Sequence, residues 1–174
     1  MGALCARESS ELTIKSMIKV AGIVCLMAIL SSCRKEVNLS EEVRNQVKKE
    51  VNQLFSQLVE ASNALDAARY FEYIDADKFL GLNANGTNWN SIEDLKSLIY
   101  PSFDMVEKVE FLKFTNVQIS VIDANTAILV NEYEQSILLK SGEVVKSAGG
   151  GTQVWSKASG NWKLVSVSAS NKSA

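Results

Sequence analysis

Histidine is absent from this chain. Without an imidazole there is no Ser-His-Asp triad, no side chain that titrates near neutral pH without help, and no histidine ligand for a metal. The three cysteines are Cys5, Cys25 and Cys33, so everything after Cys33 lacks both disulfides and cysteine metal sites. Pro101 is the only proline. Neither sign of charge dominates: 18 Lys and Arg stand against 20 Asp and Glu, for a net charge of −2. With no basic block, the chain carries no electrostatic footprint for nucleic acid, which is excluded as a partner. No apolar run reaches the roughly 20 residues that a membrane-spanning helix needs. What remains, at 47% hydrophobic residues over 174 positions, is the composition of one ordinary folded domain plus a short extra segment.

That segment is at the N-terminus. Lys15 and Lys19 flank Met17, and the apolar run from Val20 to Leu30 ends in Leu30-Ser31-Ser32-Cys33. A positive start, a short apolar core and small residues before a cysteine resemble a bacterial lipoprotein signal, in which lipid on the cysteine replaces the removed signal as the anchor. A plain secretory signal, or a short buried helix with a chance cysteine, is the competing reading. Residues 1–32 are therefore expected as signal peptide, 33–39 as lipidated Cys33 and tether, 40–170 as the domain, and 171–174 as a tail. The expected location is the bacterial cell envelope, lipid-anchored, at the outer membrane in a Gram-negative cell. Met1 and Met17 both remain as starts.

After the tether, Ser40 has the character of a helix cap, with Glu41 and Glu42 in the first turn where the helix dipole favours negative charge. Val43, Val47, Val51, Leu54, Phe55, Leu58, Ala61 and Leu65 follow at steps of three and four and predict one long amphipathic helix. A second helix is expected over 67–74, carrying Tyr70, Phe71 and Tyr73. Asn83-Ala84-Asn85-Gly86 predicts the tight turn of a small hairpin, and Ser91-Ile92-Glu93-Asp94 opens a third helix that Pro101 is expected to bend or stop. Four stretches rich in β-branched and aromatic residues, 109–122, 126–140, 144–157 and 162–169, are separated by turn residues and predict an antiparallel meander. Gly149-Gly150-Gly151 falls inside the third of them. No helix and no Lys-Ser/Thr follows it, so it reads as a bulge or sharp bend and not as a phosphate loop. No cofactor and no metal is expected. The fold class is α+β, with the N-terminal helices packed in a strongly curved antiparallel sheet.

Thr152-Gln153-Val154-Trp155 closing one strand and Trp162-Lys163-Leu164-Val165 opening the next, behind that order of helices, resemble the nuclear-transport-factor-2-like superfamily. The nearest branches are the SnoaL-like domains and the association domain of calcium/calmodulin-dependent kinase. The resemblance covers Glu41 to Ser170 and implies a cone with a pocket at its open end, and homodimers through the outer sheet face. It does not carry an activity over. The position matching the proton-removing aspartate of ketosteroid-isomerase-like members is Leu82, and those matching final-strand histidines are Ser166 and Ser168. Gln153 and Ala169 stand where the kinase domain has anion-binding arginines. Any ligand is therefore expected to be neutral or apolar.

Strand alternation divides Val165, Val167 and Ala169 from Trp162, Leu164, Ser166 and Ser168, and the resemblance turns the first set to the pocket. Tyr70, Tyr73, Trp89, Tyr133, Gln153 and Trp155, together with Tyr100, are candidate lining residues, since pockets combine aromatic walls with a few polar groups. Core packing is the simpler use of the same aromatics. Asp75, Asp77 and Glu132 are the candidates for acid-base chemistry in a competing reading, an isomerase, dehydratase or hydrolase acting on a neutral lipid-like or polycyclic substrate. The leading expectation is a membrane-anchored lipoprotein that binds a small neutral or apolar molecule or a partner protein, without assigned catalysis.

Overall fold

The structure, a computed structural model, describes residues 39–172. The expected signal peptide, Cys33 and most of the expected tether lie outside the described residues.

Helix α1 (Glu41–Asn63) begins where Ser40 Oγ accepts the Val43 N–H at 3.3 Å. Its buried residues, Val47, Val51, Phe55, Leu58 and Ala61, form the apolar stripe that the spacing predicts. Helix α2 (Ala67–Glu72) is capped by Asp66, whose Oδ1 accepts from the Arg69 N–H. Strands β1 (Leu80–Leu82) and β2 (Asn88–Trp89) form the small hairpin, with Gly86 at φ +86°. Helix α3 (Ile92–Met105) starts with Ser91 Oγ accepting from the Asp94 N–H. Pro101 neither stops this helix nor ends it early. The chain stays helical for another turn, at the cost of the one hydrogen bond a proline cannot donate.

The meander consists of β3 (Val106–Asp123), β4 (Thr126–Leu139), β5 (Val144–Ser156) and β6 (Lys163–Asn171). The six strands are ordered β2-β1-β6-β5-β4-β3. The expected antiparallel pairing holds throughout the meander, but β1 joins the edge of β6 in parallel, Leu80 opposite Ser166 and Leu82 opposite Ser168. Four register shifts against β4 bend β3, which packs along α1.

Two local expectations change. The triple glycine makes no bulge: β5 runs in unbroken register from Thr126↔Ser156 to Leu138↔Val144 against β4, and Gly149, Gly150 and Gly151 pair in order with β6. Glycine is required at 149 for closeness of approach, because a Cβ there would lie 1.8 Å from Ser170 O and 2.8 Å from the Tyr133 ring. The bulge falls instead at Val165, where Trp155 faces Leu164 and Val154 faces Ser166. The extra residue resets the alternation, so Leu164, 1% exposed, joins the core on the same side as Val167, against the simple alternating reading.

Apolar packing is densest at the end of the sheet where Ala127, Trp155 and Leu164 are in register. Val51, Phe55, Ile74, Phe79 and Leu95 close over it. Trp162 is also buried, and its Nε1 donates to Glu50 Oε2 at 2.6 Å. Glu50 further accepts from Gln46 at 2.9 Å and meets Lys157 Nζ at 2.8 Å, so it ties α1 to the β5–β6 turn. These partners, Lys157 foremost, lower its carboxyl from 4.5 to about 2. A lowered folded-state value means stability that is present above the unfolded value and lost as pH falls towards 2. Glu50→Gln should therefore lower urea stability at pH 7 by about 1 kcal/mol, the scale of a partly solvated charged hydrogen bond. The difference from wild type should shrink as unfolding is measured from pH 5 down to pH 2.

Candidate ligand cleft

Beyond the packed end, the same inward face of the sheet becomes small and polar. In successive registers the inward positions are Leu129, Gln153 and Val167, then Asn131, Gly151 and Ala169, then Tyr133, Gly149 and Asn171. Replacing bulk by glycine and alanine leaves a cleft of about 480 Å3 above them, walled by Tyr70, Ile99, Phe103, Leu112 and Phe114. Among the described residues, none that lines it carries a charge.

Gln153 is 7% exposed, and its Oε1 accepts from Trp155 Nε1 at 3.0 Å. An indole N–H only donates, which fixes the orientation of the amide and leaves Nε2 as the donor for another partner. Asn131 is 6% exposed, and among the described residues neither its Oδ1 nor its Nδ2 has a hydrogen-bond partner. Tyr133 donates from its hydroxyl to Asn171 Oδ1 at 2.6 Å. Tyr70 packs edge-on against Phe71 and Phe103, and burial pushes its phenol up to about 12. It is a neutral donor at any physiological pH. The cleft thus offers amide and phenol groups on apolar walls and no acid or base that changes charge near neutrality.

Three of the candidate lining residues, Tyr70, Tyr133 and Gln153, come together here. Trp155 lies behind them, fully buried, as the support of Gln153. Trp89 is outside the cleft, packed so closely on Gly81 that a Cβ there would meet its ring at 2.6 Å. Tyr73 lies on a separate shallow groove beside Trp162 and accepts from Arg69 Nε at 3.4 Å. Tyr100 is half exposed and stacks on Phe71.

The three acid-base candidates do not meet. Asp75 is buried away from the cleft, accepting from Ser159 Oγ at 2.6 Å and from the N–H groups of Asp77 and Lys78 at 3.1 Å. Those bonds, Ser159 first, hold its carboxyl below the usual range, the opposite of what a general base near neutrality needs. Asp77 is exposed. Glu132 is on the outer sheet face, 3.7 Å from Lys172 Nζ. Asn131 was not among the candidates. Its signal is an amide in the inward series Ala127, Leu129, Asn131, Tyr133, facing a glycine across the register.

Residues 51–172 match the SnoaL-like domain, and the chain belongs to that family. No curated protein matches it in sequence. An NTF2-like superfamily protein from Salmonella enterica serovar Typhimurium has a similar structure, with TM-score 0.67 and 16% identity over 75% of this chain and 94% of that one. The association domain of C. elegans CaMKII is similar at TM-score 0.59 and 20% identity, over 75% and 99% of the two chains. Hexachlorocyclohexane dehydrochlorinase LinA-type3 from Novosphingobium barchaimii is similar at TM-score 0.64 and 12% identity, over 77% and 92%. At such identities these likenesses show a shared fold, and the chemistry of each remains its own.

Proposed function

We propose that this SnoaL-like domain is a binding module for a small, neutral, largely apolar molecule, held at a membrane surface by lipid on Cys33. The observation that carries the binding reading is the uncharged cleft with the buried amides of Asn131 and Gln153 in its floor. A charged ligand would be desolvated there without a counter-charge, which is costly, whereas a neutral one can exchange water for aromatic walls and amide hydrogen bonds. An isomerase, dehydratase or hydrolase of the kind weighed above needs a carboxylate in the cleft, and none lines it among the described residues. Nile red, a neutral amphipathic fluorophore, should bind saturably with one site per chain. Ala169→Phe, which fills the cleft floor, should weaken that binding at least tenfold. Equal affinity of the two proteins would remove the cleft as the site.

The anchor rests on the run from Lys15 to Cys33 and its Leu-Ser-Ser-Cys end. In a bacterial host, Cys33→Ala should abolish labelling by radioactive palmitate and signal removal. A variant still processed and still in the membrane fraction would refute lipid attachment. Lipid on Cys33 would place the domain in the cell envelope, at the outer membrane of a Gram-negative cell.

A homodimer through the outer sheet face is the partner we favour for that surface. Its central rows are Ile128, Val154 and Ser166, then Val130, Thr152 and Ser168, continued by Leu80 and Leu82. These rows are uncharged and leave Val130, Leu80 and Leu82 exposed. Val130→Arg should convert a sedimenting dimer of the domain into a monomer. A wild-type monomer at micromolar concentration would rule the dimer out.

A further inference from the structure

Two amides stand in the floor of the cleft, and they differ in what they offer a ligand. That of Asn131 is sealed: its Oδ1 and Nδ2 are closed to solvent and have no partner among the described residues. That of Gln153 is open. Its Nε2 donates to no group among the described residues, yet it is not one of the sealed, unpartnered atoms, so water, and therefore a ligand atom, can reach it. Gln153 lines the cleft from the inward row that holds Leu129 and Val167. The orientation of its amide is fixed from behind. Trp155, fully buried two residues along β5, can only donate, and its Nε1 holds Gln153 Oε1 at 3.0 Å. Turning the amide over would set N–H against N–H and leave the indole donor unpaired in the core, which folded proteins avoid. The oxygen therefore stays on Trp155, and the NH2 group is what Gln153 offers to the cleft.

We infer that Gln153, positioned by Trp155, makes the cleft selective for a neutral molecule whose buried end is an acceptor without a hydrogen of its own, such as the carbonyl of a ketone or an ester. This rests on the neutral-ligand reading above and names the functional group that the ligand carries. A hydrocarbon in the same place strips water from Nε2 and returns nothing. An alcohol can accept the same bond, but its own hydrogen then finds one floor oxygen committed to Trp155 and the other sealed. A carbonyl brings no such hydrogen. A site built around one hydrogen bond discriminates against analogues that leave its buried group unpaired.

The test is calorimetric titration of the domain with fluorenone, fluorenol and fluorene, one tricyclic frame carrying a ketone, an alcohol and neither, alongside Nile red. Wild type should bind the ketone roughly tenfold more tightly than the alcohol. Gln153→Leu should lower the affinity ratio of fluorenone to fluorene roughly tenfold, a ratio in which a general loss of packing cancels. The infrared carbonyl stretch of bound fluorenone should lie lower in wild type than in that variant, a signature that a merely structural Gln153 would not give. In Trp155→Phe the amide is free to turn, and the preference for ketone over alcohol should fall towards equality. Should either variant fail to fold, Gln153→Met and the wild-type comparison still decide. Equal binding of ketone and alcohol by wild type, or a ketone-to-hydrocarbon ratio and a carbonyl stretch unchanged by substitution at 153, would overturn the acceptor inference while Nile red binding keeps the neutral-ligand reading. A full preference for the ketone in folded Trp155→Phe would overturn the positioning role of Trp155. Failure of Nile red and all three tricyclic compounds to bind would overturn both readings together.

Discussion

The unbroken register between β4 and β5 governs the rest of the domain. With no slip between Thr126↔Ser156 and Leu138↔Val144, every second residue of both strands keeps to the inside of the curved sheet. A slip of one residue in β5 against β4 would turn Gln153 and Trp155 outward and bring Thr152 and Val154 in. The inward series then does two jobs along one line. At one end Ala127, Leu129 and Trp155 are fully buried and close the core with α1. At the other, Gly149, Gly151 and Ala169 withhold the volume that would fill it, and the amides of Asn131 and Gln153 are left at the boundary.

That boundary explains why the site is neutral. Three acids of the domain are placed where other groups satisfy them: Asp75 fastens the segment after α2 to the β5–β6 turn, Glu50 fastens α1 to Trp162 and Lys157, and Glu132 pairs with Lys172 on the outer face. Charge serves to join elements, while the cleft is lined with groups whose hydrogen bonding does not depend on pH. A protein that leaves a buried amide unpaired forfeits stability at that point, and such forfeits concentrate at functional sites.

Much of this was legible in the residues. Ser40 and Ser91 cap helices because a short oxygen-bearing side chain before an apolar repeat does so with little help from tertiary structure. The turns at 123–125, 141–143 and 159–161 announced the meander for the same local reason. The family resemblance rested on the Trp155 and Trp162 strands, and the SnoaL-like match covers both. What alternation could not give was the bulge at Val165, which depends on how β5 and β6 pair and which moves Leu164 inside. Nor could it show that Asp75 would find Ser159, a partner far along the chain, or that Asn131 would find none. Counting aromatics overstated the lining: Trp155 and Trp89 have the composition of a pocket wall but the positions of core and edge packing.

The most direct measurement is a nitrogen–proton correlation spectrum of the side-chain amides, recorded on the domain before and after addition of Nile red. The NH2 resonances of Asn131 and Gln153 should be the most shifted, with those of exposed amides such as Asn45 and Asn52 unchanged. Shifts confined to exposed amides, with Asn131 and Gln153 unmoved at saturation, would contradict a ligand site in the cleft.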